Sequence, residues 1–247
     1  PAVLGLPGST TLLKPGSFVI VDGTEGQVIP EPDGEVVQAY RQRRARFLRR
    51  RRQLNKLRGM PTQTASGETY GLFCNISKPE DAEKVLEEDG EGVGLFRTEF
   101  LFMDRERLPG EEEQFAAYKR AAAVLGDRPL TIRTLDLGGD KALPYLNMPK
   151  EENPFLGLRG IRYCLQHPEI LYTQLRAVLR ASAWGNVRLM FPLISIPEEL
   201  WAGRALLEKA KVELTAQGMA FDPHIPVGIM VETPSAALLA DVLARDA

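Results

Sequence analysis

A chain of 247 residues, 44% hydrophobic and 26% charged, has the composition of an ordinary globular protein, with room for one large domain or a medium domain beside a small one. A formal net charge of −2 gives no overall pull toward nucleic acid or membrane, and no apolar run reaches the length of a membrane span. Two histidines (His167, His224) and two distant cysteines (Cys74, Cys164) argue against a histidine-rich or cysteine-spaced metal centre, and the cysteines read as free cytosolic thiols rather than a disulfide.

Residues 2–6 (Ala-Val-Leu-Gly-Leu) have the pattern of a strand, and residues 236–243 that of an amphipathic helix running to the end. With Pro rather than Met at position 1, the sequence reads as a piece of a longer protein. Residues 1–35 form a small β-rich segment: a strand at 18–21, a turn over Asp22-Gly23-Thr24-Glu25-Gly26 and a returning strand at 27–29, ended by Pro30, Pro32 and Gly34. Residues 35–57 turn helical, with Val36, Val37, Tyr40, Phe47, Leu48, Leu54 and Leu57 on roughly one face. Arg41, Arg43, Arg44, Arg46 and Arg49 to Arg52 crowd the rest. They suit either an anionic or nucleic-acid surface, or a solvated helix between domains whose basic groups meet acidic neighbours. The lack of interleaved aromatics favours the second. Gly59 and Pro61 end this helix, and a polar linker follows.

From residue 70 strand and helix alternate. A strand at 70–76 leads to Ser77-Lys78-Pro79-Glu80, read as a helix start with Ser77 as cap and Glu80 closing a capping box. Gly92-Val93-Gly94-Leu95-Phe96-Arg97 is a buried strand with Thr98 and Glu99 after it. A helix over 111–125 places Phe115, Tyr118 and Ala122 on one side. Leu130-Thr131-Ile132-Arg133-Thr134 is the next strand, followed by a long loop with Pro144, Pro149 and Pro154. A helix over 168–182 turns Leu171, Leu175, Val178 and Leu179 inward. A strand at 187–194 precedes Ser195-Ile196-Pro197-Glu198, which echoes the earlier start, and then a helix over 197–217. A strand at 227–232 ends in Glu232, and Thr233-Pro234 caps the last helix.

About five β-α units point to a parallel α/β architecture. Either a (β/α)8 barrel or a doubly wound open sheet would place ligands at the strands' carboxyl ends, and the glycine-rich nucleotide loop of the second is missing. Arg97 and Arg133 both stand at such ends. A buried arginine is costly unless an anion or carboxylate meets it. The pair therefore either grips one anionic ligand from two sides, or each arginine pairs with a nearby acid and only holds loops. Glu232 is open to three roles: cap, ion-pair partner or metal ligand.

The runs 92–103 (Gly-Val-Gly-Leu-Phe-Arg-Thr-Glu-Phe-Leu-Phe-Met), 133–141 (Arg-Thr-Leu-Asp-Leu-Gly-Gly-Asp-Lys), 151–162 (Glu-Glu-Asn-Pro-Phe-Leu-Gly-Leu-Arg-Gly-Ile-Arg) and 231–234 (Val-Glu-Thr-Pro) resemble, in order, the signatures of enzyme I of the bacterial sugar phosphotransferase system, the phosphoenolpyruvate–protein phosphotransferase family. Pyruvate phosphate dikinase and phosphoenolpyruvate synthase share related motifs. The resemblance covers the whole chain. It implies residues 1–35 as the end of a phosphohistidine domain, 36–68 as linker helix and loop, and 69–247 as the first part of a phosphoenolpyruvate-binding TIM-type barrel. It implies that Arg97 and Arg133 bind phosphoenolpyruvate, with Lys141 and Arg159 in the same basic rim, and that Glu232 is a ligand of a Mg²⁺ cofactor. The family's phosphorylated histidine would lie before residue 1. A second acidic metal ligand, a further arginine and a catalytic cysteine would lie past Ala247. The expected partners are phosphoenolpyruvate, the carrier protein HPr and a second copy of the full-length, cytoplasmic enzyme, with no nucleic acid and no membrane; this chain alone should not turn over.

Overall fold

The computed structural model describes residues 2–103, 105–138, 143, 145–146, 152–154 and 157–247. The chain divides into two units, residues 1–60 and 61–247.

In the first unit, α1 (Ser9–Leu12) precedes an antiparallel hairpin, β1 (Val19–Asp22) with β2 (Gln27–Pro30). The Asp22 carboxylate closes the turn by accepting the N–H groups of Thr24 and Glu25 at 3.0 and 3.1 Å. Gly26 supplies the left-handed residue (φ 68°) that sends the chain back. Residues 2–6 are not a strand, contrary to their pattern. Gly5 is left-handed at φ 68°, which breaks an extended run. The long helix α2 (Gly34–Asn55) is capped by Asp33, whose side chain accepts the Val36 N–H at 2.8 Å. No residue of α2 is buried, and Phe47 and Leu54 remain more than half exposed. Among the described residues, Arg43 alone of the eight arginines at 41, 43, 44, 46 and 49–52 makes an ion pair, with Asp22 at 3.4 Å. The expectation of acidic neighbours along this helix therefore holds at one position.

The second unit is a five-stranded parallel sheet in the order β3 (Phe73–Ile76), β4 (Gly92–Arg97), β5 (Leu130–Arg133), β6 (Val187–Phe191), β7 (Val227–Ile229). Spatial order equals chain order, so the reversal that defines a doubly wound sheet does not occur among these strands. Helices α3 (Asp81–Glu87), α4 (Glu111–Leu125), α5 (Gly160–Gln166), α6 (Pro168–Ser182), α7 (Pro197–Ala216), α8 (Pro234–Leu238) and α9 (Ala240–Leu243) connect or follow the strands. Among the described residues, β3 and β7 do not pair, so the sheet is open there.

The core lies between sheet and helices. Phe96 of β4 meets Tyr118 of α4 edge to face, ring centres 5.9 Å apart, and both are fully buried. Leu130, Ile132, Leu189 and Phe191 continue the buried layer, and α6 answers with Leu171, Leu175, Val178 and Leu179. Each such side chain adds roughly 1.5–3 kcal/mol on burial. Side chains alternate along a strand, so seating Phe96 and Ile132 in the core sends their neighbours Arg97 and Arg133 to the other side of the sheet.

The two Ser-x-Pro-Glu helix starts do repeat, by a different bond than expected. Neither Ser77 nor Ser195 caps through its hydroxyl. The acid one residue later reaches back instead: Asp81 accepts the N–H groups of Ser77 and Lys78 at 3.4 and 3.1 Å, and Glu199 those of Ser195 and Ile196 at 2.6 and 3.3 Å. A carboxylate suits the positive end of a helix better than a hydroxyl, and its longer arm spans the extra residue.

At the start of α4, Glu113 accepts the Gly110 N–H at 2.9 Å and ion-pairs with both Arg105 and Arg107 at 2.9 Å. The Gly110 N–H, then Arg107 and Arg105, hold its carboxyl down at about 2 from an ordinary 4.5. A value depressed by folding contributes stability that is complete above the unfolded value and is lost as pH falls toward the folded one. Glu113→Gln should therefore flatten the fall in chemical-denaturation stability between pH 4.5 and about 2. An unaltered slope would contradict the pairing.

Candidate functional site

Arg97 and Arg133 are direct partners in the parallel register of β4 and β5. Neighbouring strands lie about 4.8 Å apart, so two guanidinium groups leave the same end of the sheet side by side. Beyond Arg97 the chain tightens into a 3-10 turn, η1 (Thr98–Leu101), which tucks Glu99 under the sheet's edge. Arg97, Glu99, Phe100, Arg133, Asp136 and Met230 line one cavity of about 440 Å³. The Arg133 Nη1 also lies 3.5 Å from the Met230 sulfur, which ties β5 to the residue after β7.

The charges are laid out in a buried row. Arg133 (8% exposed) pairs with Glu99 through Nη2 and with Asp136 through Nη1 at 3.3 Å. Asp136 accepts in turn from Arg159 Nε at 3.2 Å. Arg159 reaches it because Gly160 bends the chain at φ 54°, where a Cβ would lie 3.2 Å from the Asp136 carboxylate and 3.1 Å from Leu193. Arg97 differs: its residue is exposed, and among the described residues it makes no ion pair. Among the described residues, Arg133 and Arg159 are thus answered by carboxylates and Arg97 is not. Glu99 Oε2 and Arg133 Nε are buried without a hydrogen-bond partner among the described residues. Polar atoms buried without a partner are costly.

Of the residues singled out in the sequence, Arg97 and Arg133 meet at one cavity and Arg159 joins them through Asp136. Glu232 stands just past the carboxyl end of β7 and is not part of the cavity lining. Its Oε1 accepts the N–H of Leu193 at 2.8 Å; Leu193 is held left-handed at φ 55°. Lys141, with Asp140, Pro144 and Pro149, lies outside the described residues. Arg162 binds the Gly157 carbonyl at 3.2 Å, the Ser195 hydroxyl at 2.6 Å and Glu199 at 3.4 Å, and so fastens loops together. Both cysteines are free; Cys164 is buried, and burial, aided by Asp136, pushes its thiol up to about 12. That leaves it an inert packing residue, as the sequence suggests.

Sequence reasoning missed Asp136, Gly160 and Gln174. Asp136 and Gly160 stand inside the quoted motifs but carry no signal of their own. Gln174 had one: it falls in the inward stripe of α6, three residues after Leu171 and one before Leu175, where a polar side chain needs partners.

The sequence matches the family described as PEP-utilising enzyme, PEP-binding domain, over residues 51–247. It is 47% identical to a protein of Priestia megaterium, 46% to one of Bacillus subtilis (strain 168) and 44% to one of Staphylococcus aureus, each named phosphoenolpyruvate-protein phosphotransferase. Each alignment runs over 246 residues, all of this chain and 43% of the relative, so the chain spans under half the length of these curated relatives.

Asp136 is the sole described carboxylate shared by Arg133 and Arg159, and removing one partner of a buried pair strands the others at roughly 3–5 kcal/mol. Asp136→Asn should lower the urea midpoint accordingly while keeping nearly the same shape. A loss under about 1 kcal/mol would show that the row is solvated.

Proposed function

The chain belongs to the PEP-utilising enzymes, through their PEP-binding domain, and on that premise we propose that it is the phosphoenolpyruvate-binding part of a phosphoenolpyruvate–protein phosphotransferase. The observation that carries this reading is the register of Arg97 beside Arg133 over one cavity, with only Arg133 answered by acids. Phosphoenolpyruvate carries close to three negative charges. A pair of forked guanidinium groups matches its phosphate oxygens, and Arg97, exposed and without an ion pair among the described residues, favours an anion over a neutral guest.

The division of labour follows from burial. Arg133 is fixed in place by Glu99 and Asp136, so its position costs little further ordering when ligand arrives. Arg97 is exposed and closes on the phosphate from the open side. Arg159 adds positive potential from behind Asp136. Phosphoryl transfer needs mainly alignment and neutralisation of spreading charge, which these side chains supply.

Mg²⁺ fits the donor set in part. Glu232 uses Oε1 on Leu193 and has a second carboxylate oxygen that makes no bond among the described residues. Mg²⁺ keeps several waters and is held by one or two carboxylates plus substrate oxygens, so a single Glu is a sufficient contribution from this stretch. When bound, the ion would neutralise developing charge on the phosphoryl oxygens. No group of three or more His, Cys, Asp or Glu residues suited to a metal occurs among the described residues.

The wider reading concerns the whole protein. Its phosphoryl group would pass to a histidine on a phosphohistidine domain whose end is residues 1–35, linked by residues 36–68, and then to HPr. Residues 69–247 would open a TIM-type barrel, whose sequential parallel strands carry ligands at their carboxyl ends. A cytoplasmic homodimer is the corresponding form of the whole enzyme.

Charge-assisted bonds of this kind contribute roughly 1.5–3 kcal/mol, or about 10- to 100-fold in affinity. In the full-length protein, Arg97→Ala should weaken phosphoenolpyruvate binding by that factor in calorimetry while the melting temperature stays put. Arg133→Ala should lower both. Undiminished binding by Arg97→Ala would overturn the reading.

A further inference from the structure

Helix α6 carries one fully buried amide in its inward stripe. Gln174 is 0% exposed, set among Leu171, Leu175 and Val178, and does not line the cavity. Its side chain touches both arginine-bearing segments. Oε1 accepts the N–H of Leu135, two residues after Arg133, at 2.8 Å. Nε2 donates to the Thr98 hydroxyl, one residue after Arg97, at 3.1 Å. The Thr98 hydroxyl then donates to the carbonyl of Arg133 itself at 2.8 Å.

Counting protons shows why an amide is needed. The Thr98 hydroxyl spends its proton on Arg133. The Tyr118 hydroxyl, which also accepts from Gln174 Nε2 at 3.0 Å, spends its own on Gln114 Oε1 at 3.1 Å. Gln114 is pinned by its Nε2 to the Pro109 carbonyl at 3.0 Å. Gln174 must therefore supply two donors to the hydroxyls and one acceptor to the Leu135 N–H. Of the side chains of this size, only a carboxamide offers both. A carboxylate has no donor, and an apolar group would leave the Leu135 N–H unpaired and take one bond from each hydroxyl.

We propose that Gln174 is a positioning residue that fixes the spacing of Arg97 and Arg133, so that both guanidinium groups meet one phosphate. The proposal rests on the phosphoenolpyruvate reading above. The segments after β4 and β5 are joined to each other by the Thr98 hydroxyl as well as by the Arg133–Glu99 pair, and the Gln174 amide ties both to α6; a displacement near 1 Å in such a grip can cost about 100-fold. Gln174 touches no ligand; it acts through the two backbone segments that carry the arginines.

The test compares Gln174→Met with Val178→Ala, a core truncation one turn further along the same buried face, in the full-length protein. Calorimetry gives affinities for phosphoenolpyruvate and for pyruvate, which lacks the phosphate, and thermal melts run in parallel. The expected result is a loss of at least 10-fold for phosphoenolpyruvate in Gln174→Met, with pyruvate within twofold. Val178→Ala should keep phosphoenolpyruvate within twofold despite a lowered melting temperature. Gln174→Asn, which keeps the amide on a shorter arm, is read the same way should Gln174→Met fail to fold. Equal losses for both ligands, losses that track the melting temperature in both variants, or undiminished phosphoenolpyruvate affinity each overturn the proposal. Failure of the unmodified protein to bind phosphoenolpyruvate overturns the ligand reading itself, a separate outcome seen before any variant is made.

Discussion

The second unit depends on one constraint: Arg133 must be held, charged and almost without solvent, at the end of β5. Burying a guanidinium alone costs several kcal/mol, and attraction to one acid seldom repays it fully. Here Glu99 arrives from the turn after β4, and Asp136 from the loop after β5, each from a segment that must therefore keep its course. Asp136 is in turn shared with Arg159, and the next residue, Gly160, turns left-handed where a Cβ would crowd the Asp136 carboxylate. The row of alternating charge thus fixes three loops at the same end of the sheet. Phe96 and Ile132, packed on the opposite side, anchor the strands from which it hangs.

Around that row the polar and apolar parts of the fold serve the same end. Behind it, the Gln114–Tyr118–Gln174–Thr98 chain of hydrogen bonds runs through an otherwise apolar interface between α4, α6 and the sheet. A buried network of this kind is worthwhile only if every member is satisfied, and these are. In front of it, Arg97 is left exposed and unanswered among the described residues. One arginine is buried and paired with two acids, and its neighbour is exposed.

The strands and longer helices were legible from the sequence because their periodicity is strong: the helices starting at Glu111 and Pro168 begin and end where the apolar pattern places them. The ends of β4 and β5 were legible too, since an arginine closing an apolar run has few places to go; β6 stops at Phe191 and β7 at Ile229, each three residues before its pattern does. Arg133 and Arg159 are paired with acids; Arg97, among the described residues, is not. What could not be read is what depends on distance across the fold. Nothing local marks Glu99 or Asp136 as the acids that reach Arg133. The Ser-x-Pro-Glu echo was visible, but whether the hydroxyl or the following carboxylate reaches back depends on side-chain length and turn geometry. Residues 2–6 show the reverse error: a strand-like composition with no partner strand and a left-handed glycine in its middle.

Whether Arg97 and Arg133 act on one anion together is tested most directly by a double-mutant cycle on phosphoenolpyruvate affinity. With Arg97→Ala, Arg133→Ala and the double variant measured in the same full-length protein, two groups on one phosphate should show coupling above about 0.5 kcal/mol, the second loss being smaller once the first arginine is gone. Losses that simply add would mean that the two side chains serve separate ends, and would contradict the shared grip.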